Sequence, residues 1–476
     1  MSTAIAPARR RWLGLALIAA AQFIVIMDTS IIGVALPDMQ AELGFTPESL
    51  SWVFNAYVIA FGGLLLLGGR LSDLLGARRV FISGWVILAL GSVLAGAAGN
   101  VSVELVGRAV QGAGAALIAP AALSLLMALF GGSKDLPRAF AVYGAAAPIG
   151  GTAGVFLGGV LTEYASWPWV FYITVPISAL VVLLTPVALP QLAGQRGSVD
   201  VLGAITGTVG LAAVVYGLVR VPEVGWLAAE TLVALAAGIA LLVVFVIVQA
   251  RSRQPLIRLG IFRAPQLGAA NVAQLLLGAS WVPMWFFLNL YLQNVLGASA
   301  FAAGAALLPM TILIVLGMTL VAPRLLVKFG AKPLIVTGFG FLAAGLVWLA
   351  AIRPDGAYAV DVLPASLLAA FGMALAFVPS LGTAIGAARP EETGIASGLV
   401  NTSYQIGSAV GLAGATVLSS MVVSGNIDPA ALTDGYSAAF IGAAMVAALG
   451  GLIAGLTLRQ SRRTSPADSE QQPVNA

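Results

Sequence analysis

Two residue types that commonly handle protons and metals near neutral pH are missing from this 476-residue chain: it has no histidine and no cysteine. Disulfides, thiolate nucleophiles and thiolate metal sites are therefore excluded, and proton chemistry falls to carboxylates. Asp28 is the most informative carboxylate. It stands in Gln22-Phe23-Ile24-Val25-Ile26-Met27-Asp28-Thr29-Ser30, deep in an apolar run, where a bare charge is costly unless it is paired or hydrated. Counted from Leu36, it lies ~12 Å below the outer end of that run at the rise of an α-helix. Arg108 lies ~9 Å below the outer start of another run. They are the only opposite charges read at such depth, so they are expected to be neighbours, directly or through Gln111. Burial favours a neutral carboxyl, whereas a nearby guanidinium favours an ionised one. Moving Arg108 towards or away from Asp28 would thus switch the acid's hold on a proton. A static ion pair that merely orients helices is the plainer alternative.

Three further groups of residues have chemical potential. The segment Gly69-Arg70-Leu71-Ser72-Asp73-Leu74-Leu75-Gly76-Ala77-Arg78-Arg79 joins two apolar runs. Gly76 permits a sharp turn, and Asp73 can cap the following helix or pair with Arg70, Arg78 or Arg79. That is either a conformational latch or an ordinary basic turn. A fifth run carries Gly144, Gly150, Gly151, Gly154, Gly158 and Gly159; the spacing of Gly154 and Gly158 offers a face for close helix approach. Finally, Gln22, Asn55, Asn271, Gln274, Asn289, Asn401 and Gln405 are polar residues inside apolar runs, and Trp281, Trp285, Phe286, Tyr291 and Tyr404 offer flat surfaces. Together they are candidates to line a substrate cavity.

The elements that hold these residues follow from composition. The chain is 60% hydrophobic and only 9% charged, with a mean hydropathy of +1.00. A soluble domain carries about 25% charged residues. This composition fits an all-α, multi-pass membrane protein instead. Fourteen apolar runs, at 12–36, 49–69, 80–98, 102–130, 139–162, 169–190, 200–220, 228–249, 268–293, 303–326, 334–352, 361–387, 395–423 and 435–458, are long enough to cross ~30 Å of hydrocarbon. Twelve spans with two interfacial segments is the competing reading. Of the 23 Lys and Arg residues, all but Arg108, Arg220 and Arg353 fall on one side, which puts both termini in the cytoplasm. The first run follows Arg9-Arg10-Arg11 but is too long for a signal peptide and is read as a retained helix. No polar stretch is long enough for a soluble catalytic domain, so an enzyme is not expected.

An internal repeat organises the runs. Arg70-Leu71-Ser72-Asp73-Leu74-Leu75-Gly76-Ala77-Arg78 corresponds to Arg324-Leu325-Leu326-Val327-Lys328-Phe329-Gly330-Ala331-Lys332 at an offset of 254 residues, and Gly84 to Gly338 at the same offset. Leu43-Gly44 echoes Leu296-Gly297, and Gly114 with Pro120 resembles Gly372 with Pro379. Two parallel homologous halves are a mark of transporters that rock about a midplane site. The expected organisation is a six-helix half over 1–190, two inserted helices and a central cytoplasmic loop over 191–267, a second six-helix half over 268–458, and a disordered tail over 459–476.

Taken together, these residues resemble the major facilitator superfamily, and in particular its fourteen-helix drug/proton antiporters. Asp28-Thr29-Ser30 through Ala35-Leu36-Pro37 is similar to the first-helix signature, and Gly69–Arg79 to the superfamily's loop signature. Gly107-Arg108-Ala109-Val110-Gln111-Gly112 resembles the fourth-helix signature, whose Arg is implicated in proton coupling. Gly154-Val155-Phe156-Leu157-Gly158-Gly159, with Ser166-Trp167-Pro168-Trp169-Val170-Phe171 after it, resembles the fifth-helix antiporter signature. Leu74, Val155 and Pro168 depart from the usual pattern at a basic residue, a proline and an arginine. The resemblance implies a proton-coupled exporter of lipophilic small molecules, neutral or cationic, such as drugs or antibiotics. It would be a monomer in the bacterial inner membrane, work by alternating access, use no cofactor and bind no nucleic acid. A proton-linked importer or a lipid exporter on the same fold is the alternative, and a membrane sensor or channel a more distant one.

Overall fold

The computed structural model describes residues 8–459, apart from 48, 132, 193, 195–199, 253–254, 257–259, 261–263, 265, 388–392 and 424–427. The polar tail from residue 460 onward therefore lies outside the described residues, as do Arg196, Arg253, Arg258, Arg263 and Arg389. The chain runs through principal helices α1 (Ala8–Ser30), α2 (Trp52–Leu75), α3 (Ala77–Gly96), α4 (Val101–Phe130), α5 (Leu136–Tyr164), α6 (Thr174–Ala188) and α7 (Val201–Val224). It continues through α8 (Ala229–Arg251), α9 (Leu267–Leu290), α10 (Ala300–Leu316), α11 (Ala331–Leu349), α12 (Leu363–Ala387), α13 (Thr393–Val423) and α14 (Pro429–Thr457).

Among the described residues, thirteen helical stretches are long and apolar enough to cross a bilayer. Ser49–Leu65 and Leu67–Leu75, which meet at a bend of 49°, make a fourteenth when counted as one span. The bend falls between the glycine pairs Gly62-Gly63 and Gly68-Gly69, where a helix deforms readily. Helix starts follow their polar caps: the side chains of Asn100, Asp200 and Ser299 accept backbone N–H bonds at the N-termini of α4, α7 and α10. This is the usual answer to orphaned N-terminal donors. Some ends differ from those expected. The first helix does not stop at Leu36; it passes through a tight 3-10 turn at Ile31–Ala35 and continues as Leu36–Leu43. Thr29 and Ser30 both return a hydroxyl bond to the Ile26 carbonyl just before that turn, a pattern that loosens and bends helices. Helix α14 starts at Pro429 rather than 435, and α10 runs on through a π turn, Gly317–Val321, into Ala322–Phe329.

Helices α1–α6 pack on one another, as do α9–α14. Helix α7 sits against α2 and α13, and α8 packs on α7. The two sets meet where α5 packs on α10, where α2 packs on α13, and where the Ile31–Ala35 turn touches α9 and α10. The internal repeat has a structural counterpart. Gly76 and Gly330 adopt φ values of 88° and 83°, and Gly44 and Gly297 adopt 78° and 65°, all in the region that favours glycine. A Cβ on Gly84 would stand 2.9 Å from the Gly114 carbonyl, and one on Gly338 2.8 Å from the Gly372 carbonyl. Equivalent helix pairs therefore approach backbone to backbone in both sets.

Candidate functional site

Asp28 and Arg108 are fully enclosed and form a direct ion pair, Arg108 Nη1 to Asp28 Oδ2 at 2.9 Å. Gln111 lies one turn beyond Arg108 on α4 and closes the ring. Its Oε1 accepts from Arg108 Nη1 at 2.6 Å, and its Nε2 donates to Asp28 Oδ1 at 3.1 Å and to Ser92 Oγ at 2.8 Å. Arg108 Nε donates to the Val53 carbonyl at 2.9 Å. The guanidinium also lies over the Tyr57 ring at 4.6 Å and near Phe171 at 5.8 Å. Four helices thus converge on one buried charge pair. Bonds of this charged type contribute about 1.5–3 kcal/mol each, whereas one partner left alone is strongly destabilising.

Small residues bring the helices close enough. A Cβ on Gly91 would stand 2.6 Å from the Gln111 backbone nitrogen, and one on Gly107 2.6 Å from that of Ala95. The α3 and α4 backbones therefore touch where Arg108 and Gln111 project. In the repeat, Gly345 faces Ala365 and Ala369 as Gly91 faces Gly107 and Gln111. Ser366 accordingly occupies the place matching Arg108, and its hydroxyl is spent on the Leu363 carbonyl. Matching backbones thus carry a charged side chain at this position in the first half and a serine in the second.

The glycines of α5 connect this site to the second half. Gly154 faces the Met27 carbonyl and Ser30 of α1, and Gly158 faces the Ile31 carbonyl and Val34. Gly159 faces Ala300 and Phe301 of α10, and Gly304 faces the Val155 carbonyl. On the other side of the same turn, the Trp285 ring lies where a side chain on Gly33 would be, and Gln293 Nε2 donates to the Val34 carbonyl at 3.2 Å. The stretch just after Asp28 is therefore held by α5, α9 and α10 at once.

In the loop Gly69–Arg79, Asp73 is exposed and does not cap α3; the cap position is Gly76, with no side-chain bond. Arg78 instead donates to the Leu189 carbonyl and to Gln191 Oε1 at 3.0 Å, tying the loop to the end of α6. Arg70 is half-buried and Arg79 exposed, while Gly69 packs beside Pro120.

The expected cavity residues differ in exposure. Asn55, Asn289 and Trp285 are buried, as are Trp281 and Gln405, whereas Gln22 is half-buried and Asn401 exposed. Neither polar atom of the Asn55 side chain has a partner, and neither does Asn289 Oδ1. Asn271 accepts from Ser403, Gln274 donates to Ser380 and the Phe377 carbonyl, and the Tyr404 ring meets the Phe377 ring edge to face. Phe286 is buried against Phe287. Tyr291 is buried, and its hydroxyl donates to the Arg353 carbonyl at 2.7 Å. Arg353 in turn pairs with Asp361, whose carboxylate holds the guanidinium pKa above its ordinary value.

Sequence reasoning passed over several features. An apolar cleft of about 490 Å³ opens between α5 and α10, lined by Ile149, Thr152, Phe156, Leu308 and Ile312 among others. Ser92 and Tyr57 join the charged site; both are ordinary residues with no signal in their own positions. Glu104, which the reading of the sequence did not single out, is fully enclosed. Its spacing of one turn from Arg108 was the available clue.

The chain matches the Major Facilitator Superfamily over residues 18–412. It is 41% identical over 438 residues to the cephamycin export protein CmcT of Amycolatopsis lactamdurans, covering 90% of this chain and 89% of that one. It is 37% identical to the puromycin resistance protein of Streptomyces alboniger, with 90% and 87% covered. The tetracenomycin C resistance and export protein of Streptomyces glaucescens is 31% identical, with 85% and 75% covered. Among solved structures, an auto-inhibited POT family peptide transporter superposes with a TM-score of 0.67 at 17% identity, covering 96% of this chain and 99% of that one.

Proposed function

Because this chain belongs to the Major Facilitator Superfamily, whose members are membrane transporters rather than enzymes, we propose that it exports antibiotic-like small molecules in exchange for protons. Relatives that it matches over most of its length are named for export of, or resistance to, antibiotics. The observation that carries the coupling half of the reading is the enclosed Asp28–Arg108 pair on a helix whose next turn touches the second half of the molecule.

In this reading Asp28 is the proton-carrying acid and Arg108, steadied by Gln111, sets its affinity. With the outer side open, substrate leaves and a proton binds Asp28, releasing the guanidinium. With the inner side open, the proton leaves to the cytoplasm, the ion pair re-forms and new substrate enters. The Gly154, Gly158 and Gly159 face of α5 seals the outer side, and the Gly69–Arg79 loop with Asp73, Arg70, Arg78 and Arg79 holds the inner ends. Gln22, Asn55, Trp281, Trp285, Asn289, Asn401 and Gln405 approach the substrate when the halves part. The protein works as a monomer in a bacterial inner membrane and needs no cofactor, the proton gradient supplying the drive.

Inside-out vesicles test this directly. Cephamycin, puromycin, tetracenomycin C and a lipophilic cationic dye are added in turn while lumenal pH is followed. At least one should release lumenal protons, and Asp28→Asn should abolish that release with normal membrane insertion. Undiminished coupled export by Asp28→Asn would overturn the assignment.

A further inference from the structure

Glu104 lies in the first turn of α4, where an acid is ordinarily a solvated complement to the helix dipole. Here it is 0% exposed, and neither carboxyl oxygen has a hydrogen-bond partner. An ionised carboxylate left so is among the costliest arrangements in a protein, and the usual escape is to hold a proton. One turn along the same helix stands Arg108, whose Nη2 is likewise buried and unpartnered. A Glu four residues before a basic residue is the favourable order for pairing on a helix face, and the charges of both Arg108 and Asp28 are felt at Glu104.

The remaining groups around it narrow the possibilities. Against Arg108, helix α1 brings Asp28 and α2 brings Tyr57. Helix α3 has no acid anywhere along it and meets α4 here through Gly91, Ser92 and Ala95. Among the described residues, the enclosed ionisable set here is thus two carboxyls and one guanidinium, beside a tyrosine. One shared proton makes the set neutral; none leaves it negative and two leave it positive.

We propose that Glu104 is a second proton station and that the Arg108 guanidinium moves between the two carboxylates as the proton moves the other way. In the conformation described, Asp28 is ionised and paired, and Glu104 carries the proton. In the alternate conformation the O–H bond at Glu104 is broken and one at Asp28 is formed, the guanidinium staying protonated throughout. Glu104 ionises against Arg108, and the charge of the set does not change. Because Glu104 is one turn nearer the outer end of α4, it is the station that exchanges protons with the outside. This deepens, and rests on, the reading of Asp28 as the coupling acid.

The test uses the full-length protein in lipid nanodiscs and in inside-out vesicles. Infrared difference spectroscopy across a pH titration should show the carbonyl band of a protonated, buried carboxyl. That band should vanish in Glu104→Gln, shift in Glu104→Asp and persist in Asp28→Asn. In vesicles, Glu104→Gln leaves the guanidinium nowhere to go, so Asp28 takes its proton less readily. The midpoint of the pH profile for export should move towards acid by roughly one pH unit or more, with Glu104→Asp restoring part of the shift. A band unchanged in Glu104→Gln and Glu104→Asp, or a pH midpoint that does not move, overturns the proposal. If the wild type drives no proton release at all while the Glu104 band is present, the exporter reading fails and the proton site stands.

Discussion

Removing the Arg108 side chain while keeping Asp28 isolates what holds the charged site together. Arg108→Ala deletes the 2.9 Å ion pair to Asp28, the 2.9 Å bond to the Val53 carbonyl and the stacking on Tyr57. It leaves Asp28 enclosed with only Gln111 Nε2 as a donor. Breaking a buried pair in this one-sided way costs roughly 3–5 kcal/mol. Asp28→Asn is expected to cost less, because Arg108 retains Gln111 Oε1, the Val53 carbonyl and the Tyr57 face. Removing both charges should cost clearly less than the two single changes added together, with a coupling energy on the order of 2 kcal/mol. The assay is reversible unfolding of the purified protein by SDS from mild detergent, read by tryptophan fluorescence, for the wild type, the two single variants and the double variant. If the effects simply add, or Arg108→Ala unfolds like the wild type, the site is not the enclosed, mutually dependent network described above.

Two further substitutions probe the surroundings. A Cβ on Gly158 would meet the Ile31 carbonyl and Val34, whereas one on Gly144 of the same helix meets nothing within 4 Å. Gly158→Ala should therefore destabilise by roughly 1–3 kcal/mol and depress export, while Gly144→Ala should be neutral or slightly stabilising; equal behaviour of the two in SDS unfolding would contradict the α1–α5 packing. Asn55→Leu removes a buried amide that has no partner, so stability should hold or rise by about 1 kcal/mol while export of at least one substrate falls. Unaltered export across the whole panel would remove Asn55 from the substrate path.

Much of this molecule is legible in one dimension because the bilayer is an unforgiving solvent. Span lengths, the side on which Lys and Arg collect, and the depth of a lone acid such as Asp28 are all set by the cost of placing charge or bare backbone in hydrocarbon. The glycine turns are legible too: Gly76 with Gly330, and Gly44 with Gly297, recur in sequence and share positive φ in the fold. Which face of each helix meets protein was not legible. In lipid the outward and inward faces are both apolar, so the periodicity that marks a core face in water is largely lost. Hence Glu104 carried no signal of its own until neighbouring helices buried it, and Asp73, one candidate cap for the helix that follows, stands exposed. Composition and charge cost determined that the chain crosses the membrane many times with an acid and a base at matching depth. The three-dimensional packing of α1 to α4 decided that these two charges touch, and that a second acid is shut in beside them.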